Sequence, residues 1–367
     1  MTGAPVTDSV NAGLGPVSVV ICNYNGADHL PPCLAALAQL EGVIDEWILV
    51  DNQSTDASLE VLAEHAPHIR VIDAGSNGGP ARARNIGFAA AKNRWVLSID
   101  NDAVLEPDVL AKLAAAVAAN PGTVIAQPRS VFEHDPDRVH YDGGYFHAAG
   151  LIVLRNFYTP RAEAVGEGVV EVDCAIAVAL LIDRDRLAAL GNYDERYFIL
   201  FEDLDLSYRL RAQGDRILSV EDAICHHRAG TPGVSFREGP NYPGSRVFYH
   251  SRNRWMFLAK NYRARTLFCA SPLLVCYELV WLLFAAASGN ADGWLRGKRE
   301  FFMGWPETSK LRAETQAVRR VGDKALLIGG PLTTTPALGK TVVHRMMIGA
   351  LSGVLRGLWW VGRVFVG

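Results

Sequence analysis

The chain has 367 residues, 49 % of them apolar and 20 % charged, which excludes a disordered chain and allows two domains or one large domain with appendages. Its net charge of −3 hides an asymmetry: residues 252–367 carry 17 Lys/Arg against 6 Asp/Glu, whereas residues 1–251 carry 19 against 33. A basic tail behind an acidic body points the tail at an anionic partner, and its interleaving with long apolar runs favours a lipid surface over nucleic acid.

Residues 1–16 hold no Lys or Arg and no apolar run, so they read as a flexible N-terminal extension rather than a secretory signal. The six cysteines, at 22, 33, 174, 225, 269 and 276, show no C-x-x-C spacing and read as reduced core thiols of a cytosolic setting. From Val17 the chain alternates. Apolar β-branched runs at Val17–Cys22, Trp47–Val50, Ile69–Ile72 and Trp95–Ile99 read as strands. Helical spacing at Leu30–Leu40, Ser54–Glu64 and Pro80–Lys92 fills the intervals, and Pro107–Asn120 adds a further helix. This order implies an α/β fold with a mainly parallel central sheet. Beyond Pro121 the rhythm loosens. Val131–Gly150, rich in His, Asp and Gly, reads as an irregular loop; Val169–Ile182 as one or two strands; Asp203–Gln213 as a helix; Arg216–Val220 as a short strand.

Polar residues recur where the strands end: Asn23-Tyr24-Asn25-Gly26, Asp51, Asn77-Gly78-Gly79-Pro80, and Asp100-Asn101-Asp102. In open α/β sheets ligands sit at the carboxyl ends of the strands. Two carboxylates one residue apart at that edge suit a hard divalent cation, Mg²⁺ or Mn²⁺, shared with substrate phosphates. Glu202-Asp203-Leu204-Asp205 crowds three carboxylates at a helix start, where repulsion raises at least one pKa toward the working range of a general base.

The ordered segments VSVVICNYNG, ILVDNQSTDAS, NGGPARARNIGFAAAK, VLSIDNDAVLEP and NYDERYFILFEDLDLSYRLRAQG resemble the inverting family 2 glycosyltransferases, and most of all their rhamnosyltransferase-like subgroup. The resemblance runs from Val17 to Tyr262. It implies a nucleotide-diphospho-sugar transferase fold of the A type over residues 17–262, with a nucleotide-binding part at 17–120 and an acceptor part at 121–262. It also implies roles. Asp51, beside Asn23, would meet the nucleobase; Arg84 would lie near the base or ribose; Asp100 would contact the ribose or metal-bound waters. Asp102 would ligate the metal on the diphosphate, and His226, or His227 beside it, would complete the metal site or bind the diphosphate. Asp203 would be the general base, with Glu202 toward the acceptor. The chain departs from the family pattern at Ala175–Ala179, where many relatives have a glycine, and at Asp183, where a basic residue is common.

Residues 263–367 read as a mostly helical, basic and apolar region that associates with a membrane. Thr266–Gly289 is long enough to span a bilayer, but Glu278 sits near its middle. Its ten Leu, Ile, Val or Phe residues favour insertion by about 3–6 kcal/mol against about 2.5–3.5 kcal/mol for a central carboxylate, a balance that fits a re-entrant or in-plane helix better than a span. In Thr341–Gly367 the arginines at 345, 356 and 363, with Ser352, fall within roughly 40° on a helix, and apolar residues including Trp359 and Trp360 cover much of the rest. That is the pattern of an interfacial helix on an anionic leaflet.

The sequence thus leads to the expectation of a metal-dependent inverting glycosyltransferase, peripheral or shallowly embedded at the cytoplasmic face of the cell membrane. It would move a sugar, rhamnose or another deoxy-hexose, from a dTDP- or UDP-sugar to a hydroxyl of a glycan or polyprenyl-linked acceptor in envelope polysaccharide synthesis. The rivals are a metal-dependent nucleotidyltransferase, which needs a basic triphosphate loop that Asn23–Leu30 lacks, and a non-catalytic sugar-nucleotide-binding membrane scaffold.

Overall fold

The computed structural model describes residues 14–40, 44–166, 168–228, 242–328 and 330–366, so most of the expected N-terminal extension lies outside the described residues. The chain divides into two compact units. The first comprises residues up to Gly143, Arg155–Leu206 and Asp215–Ala229; the second comprises Gly144–Leu154, Ser207–Gly214 and the remainder from Gly230.

In the first unit β1 (Val17–Asn23), α1 (Leu30–Ala38), β2 (Ile44–Asp51), α2 (Ser58–His65), β3 (Arg70–Asp73), α3 (Gly79–Ala90) and β4 (Trp95–Asp100) alternate as the apolar pattern requires. They are followed by β5 (Ala103–Leu105), α4 (Val109–Ala119), β6 (Thr123–Phe132) and β7 (Asp135–Tyr141). After β8 (Gly144–His147) and β9 (Leu151–Leu154), which belong to the second unit, come β10 (Val169–Val172), β11 (Ala179–Asp183), α5 (Arg184–Ala189), α6 (Glu202–Gln213, of which the part from Ser207 belongs to the second unit) and β12 (Arg216–His227). The sheet order is β10-β12-β6-β11-β4-β1-β2-β3, with β5 paired to β12 and β7 to β6. Strands β4, β1, β2 and β3 run parallel. Val19, Ile21, Leu49 and Leu97 on one face and Val20, Ile48, Val50 and Val96 on the other are fully buried, as strands covered on both faces must be.

The sheet is mixed, which corrects the mainly parallel expectation. Strand β11 enters antiparallel between β4 and β6, and β10 is antiparallel to β12. An apolar run is the same whichever way it points, so periodicity carried no sign of this reversal. Val131–Gly150 is also more ordered than expected. Val131 pairs with Val139 and Ser130 with Tyr141, so β7 folds back on β6. Likewise β12 does not stop at Val220; a register shift between Val220 and Ile224 lets it continue to His227 beside β6.

The second unit holds the small sheet β13-β8-β9 and the helices α7 (Gly244–Asn261), α8 (Ala264–Cys269), α9 (Ser271–Ala287), α10 (Ala291–Met303), α11 (Trp305–Val318), α12 (Asp323–Leu326) and, after β13 (Leu327–Ile328), α13 (Val342–Arg363). The stretch weighed as a membrane span is thus α8 and α9. Among the described residues no helix is long and apolar enough to cross a membrane. Glu278 in α9 is turned into the protein, 2.8 Å from Arg254 and 2.7 Å from Lys298. All six cysteines are free thiols.

Candidate active site

Register brings the polar strand ends together. Asn23 pairs with Asp51 across β1 and β2, and Cys22 with Asp100 across β1 and β4. Asn23 Nδ2 donates to Asp51 Oδ1 at 2.8 Å, and its Oδ1 accepts from Asn101 Nδ2 at 2.7 Å. Ser54 holds the other side of Asp51, donating its amide to Oδ2 at 3.0 Å and its hydroxyl to Oδ1 at 2.6 Å. Asp51 is therefore a fixed acceptor on a rigid edge.

Arg84 rises from α3 into the core, only 3 % exposed. Its Nη2 donates to Asp100 Oδ1 at 2.6 Å and to the Ala177 carbonyl at 2.6 Å, and the guanidinium lies 5.7 Å from the Tyr193 ring centre. Its Nε and Nη1 find no protein acceptor. Asp100 keeps 28 % of its side chain exposed, yet desolvation by its surroundings pushes its pKa up to about 6. Arg84 opposes that rise and the charge of Asp102 adds to it.

The general-base candidate joins this group through one residue. The Ala177 carbonyl accepts from Arg84, while the Ala177 amide donates to Asp203 Oδ2 at 3.1 Å. Asp203 Oδ1 accepts from the Tyr193 hydroxyl at 3.3 Å. Burial pushes the Asp203 pKa up, partly offset by Arg84 and these two hydrogen bonds. Glu202 is pushed up to about 8 by burial and then by the charge of Asp203. Asp205 faces away to the Tyr197 hydroxyl at 3.2 Å. Phe198, Leu200 and Phe201, just before Glu202, all have positive φ, of 61°, 67° and 76°. Such conformations cost about 1 kcal/mol or more each and persist where surrounding contacts impose them. One such contact is visible: a Cβ on Gly79 would lie 2.2 Å from the Phe198 carbonyl oxygen, so only glycine lets α3 start there.

The histidines separate. Strand β5 pairs antiparallel with the end of β12, His226 opposite Val104 and His227 opposite Ala103, and the Arg228 amide donates to the Asp102 carbonyl at 3.0 Å. Alternation along β12 then sends the two imidazoles to opposite sides. His227 Nε2 lies 3.2 Å from Asp102 Oδ2, and His226 Nε2 lies 3.4 Å from Glu106 Oε1. The residue brought to Asp102 is thus His227, not His226. His227 Nδ1 in turn meets Nδ1 of the buried His140 at 3.0 Å. Among the described residues no group of three or more His, Cys, Asp or Glu is gathered as a metal site. Asp102 and His227 nevertheless fit a divalent ion that takes its remaining ligands from phosphates and water. Two adjacent ligands of an octahedral ion with bonds of about 2.1 Å lie roughly 3 Å apart, close to the separation seen here.

Tyr193, Ala177 and His140 were not singled out by sequence reasoning. Tyr193 lies inside the NYDERYF segment, so position was its only signal. Ala177 acts through its peptide groups, which no side-chain pattern reveals. His140 needed the fold-back of β7.

Residues 18–177 match the family model described as Glycosyl transferase family 2. The N-acetylglucosaminyl-diphospho-decaprenol L-rhamnosyltransferase of Mycobacterium tuberculosis is 27 % identical over 265 residues, covering 66 % of this chain and 83 % of that protein. A PGL/p-HBAD biosynthesis glycosyltransferase of Mycobacterium bovis is 30 % identical over 207 residues, covering 52 % and 68 %. Among solved structures, GalNAc-T7 with UDP, GalNAc and Mn²⁺ superposes with a TM-score of 0.56 at 18 % identity, over 71 % of this chain and 51 % of that one. The fold shared with it is that of the A-type nucleotide-diphospho-sugar transferases.

Proposed function

The chain belongs to glycosyl transferase family 2, in its rhamnosyltransferase-like group, and from that premise we propose an inverting transfer of rhamnose or another deoxy-hexose from a dTDP- or UDP-sugar to a hydroxyl of a glycan or polyprenyl-linked acceptor. The observation that carries the reading is the Ala177 bridge, which ties the base candidate Asp203 through its amide, and the donor-edge carboxylate Asp100 by way of Arg84 through its carbonyl, to one residue. The name of the Mycobacterium tuberculosis relative, a rhamnosyltransferase acting on a diphospho-decaprenol-linked sugar, supports the donor and acceptor classes.

In the proposed step Asp203 accepts the proton of the attacking hydroxyl. The hydroxyl oxygen forms its bond to the anomeric carbon from the face opposite the nucleotide. The bond from that carbon to the diphosphate oxygen breaks with its electron pair, and the configuration inverts. Tyr193 and the Ala177 amide hold the two oxygens of Asp203 so that one keeps a lone pair for the proton. Asp51 and Asn23 receive the nucleobase end, and Asp100 the ribose. Asp102 and His227 would hold a divalent cation, Mg²⁺ or Mn²⁺, whose charge neutralises the departing diphosphate.

Asp203→Asn keeps the side chain's shape and an acceptor for the Ala177 amide. It is expected to lower kcat by about 10²–10⁴-fold, with nucleotide-sugar binding by calorimetry unchanged. Transfer at the wild-type rate would show that Asp203 is not the base.

A further inference from the structure

Helix α13 is apolar on two sides, and only one of them is used. Ser352, Leu355, Trp359 and Gly362, spaced by three and four residues, are buried. At Gly362 a Cβ would lie 2.5 Å from the Cys269 carbonyl oxygen, so the helix docks backbone-close on the end of α8. On the far side Val343, Met346, Met347, Val354, Trp360 and Val361 are 52–74 % exposed. At about 100° per residue they lie opposite the docked positions, and Arg345, Arg356 and Arg363 form the border between the two faces. Residues 342–366 contain no Asp or Glu. The arginines have no carboxylate partner among the described residues; Arg345 and Arg363 donate to the backbone carbonyls of Gly339 and Lys324.

The neighbouring helix repeats the pattern. Val275, Leu279 and Leu283, at four-residue spacing on α9, are 57 %, 56 % and 68 % exposed, and Phe268 is 80 % exposed. The lone carboxylate of α9, Glu278, is turned away into its pair with Arg254 and Lys298.

We propose that the exposed face of α13, with the α9 stripe, is the surface by which this chain lies on an anionic lipid bilayer. Three features select that occupant. Apart from the Trp360 indole N–H, the face offers no strong hydrogen-bonding side chain of its own for a protein or glycan partner, and its only charges are the arginines at its edge. Those arginines run the length of the helix, so a crossing helix would place Arg356 in hydrocarbon, whereas an in-plane helix lets all three reach the phosphates. Trp360, at 74 % exposure, is the side chain whose ring belongs at the headgroup level. The inference does not rest on the transferase reading, and its test does not use activity.

The test is flotation of the full chain with vesicles of phosphatidylcholine, with and without phosphatidylglycerol. Binding is expected only with the anionic lipid and should weaken with salt. The triple variant R345Q/R356Q/R363Q should lose about 100-fold in affinity, roughly fivefold for each charge. The variant M346E/V354E/W360E, changed only at exposed positions, should not float at all while keeping the wild-type circular dichroism and melting temperature. Equal flotation of that variant and wild type, or equal binding to neutral and anionic vesicles, would overturn the proposal. So would a wild-type dimer that the glutamate variant converts to a monomer without any vesicle binding, because the face would then be a self-interface.

Discussion

Each unit buries a cluster of charges, and the two are built to opposite ratios. Around Arg84 one cation serves three carboxylates, Asp100, Glu202 and Asp203. Around Glu278 two cations serve one carboxylate, which also accepts from the Trp255 and Trp294 indoles at 2.8 Å and 2.7 Å. Burial raises the carboxylates of the first cluster, to about 6 for Asp100 and about 8 for Glu202, because one guanidinium is not enough to hold them ionised. Burial also acts to raise Glu278, but Lys298 and Arg254 outweigh it and hold that carboxyl below its ordinary value, while burial lowers Lys298 to about 8. A cluster short of positive charge can take up a proton or a cation during a reaction. A cluster with its carboxylate fully surrounded by donors serves only to join helices.

The widest separation should come from removing the minority charge in each. Arg84→Met leaves buried carboxylates unpaired, and Glu278→Gln leaves buried cations unpaired, so each should cost about 3–5 kcal/mol in denaturant unfolding near neutral pH. The pH dependence should have opposite signs. Raised carboxylates contribute stability at low pH and lose it as pH climbs through their folded values, so the Arg84→Met penalty should shrink at pH 5, where Asp100 is protonated with or without its partner. In Glu278→Gln the cations remain charged at pH 5. Relief should appear only as pH rises through the lowered value of Lys298. A common pH dependence for both variants would erase the distinction.

A second contrast, smaller in effect, lies within the active-site unit. Since His227 meets Asp102 and His226 meets Glu106, His227→Ala should weaken Mn²⁺ binding, read by the spin resonance of the free ion, whereas His226→Ala should leave it near wild type. His140→Ala, which removes the partner of His227 Nδ1, should cost about 10–100-fold in the same measurement. If His226→Ala is the damaging change, the alternation of β12 does not set the ligand.

How much of this was written in the sequence can be judged residue by residue. The strand ends at Asn23, Asp51 and Asp100 were legible because apolar β-branched runs stop abruptly there, and the sheet places all three on one edge. The metal-side pair was not. ICHHRAG has the composition of a turn, and only pairing with β6 on one side and β5 on the other draws it into a strand that separates His226 from His227. The antiparallel entry of β11 was invisible for a related reason, since strand direction is set by connections and not by periodicity. Ala177 fell in a stretch noted only as departing from the family's glycine, and its use of both peptide groups belongs to the backbone. For α13 the arginine stripe was legible, but not which apolar face would dock. The spacing Ser352, Leu355, Trp359, Gly362 becomes readable once the Cys269 carbonyl is seen against Gly362.

The smallest effects should be those of Glu202 and Tyr193 on the titration of the base, and they test whether the Arg84 cluster is poised for proton transfer. The ascending limb of kcat/KM against pH reports the free enzyme's base, and burial places it above the ordinary carboxylate range. Glu202, held protonated up to about 8 by burial and by the charge of Asp203, is neutral while Asp203 titrates, so Glu202→Gln should leave the limb near its wild-type position. Tyr193→Phe removes a hydrogen bond to the ionised form, so the limb should move to higher pH. A hydrogen bond to a charged group contributes about 1.5–3 kcal/mol, and at 3.3 Å this one belongs at the low end, which limits the loss in plateau rate to roughly tenfold. A purely structural tyrosine would lower the plateau and leave the limb in place. The contrast follows from Asp203 carrying the proton beside a neutral Glu202, so a limb that moves with Glu202→Gln and stays in place with Tyr193→Phe would separate the cluster from the chemistry.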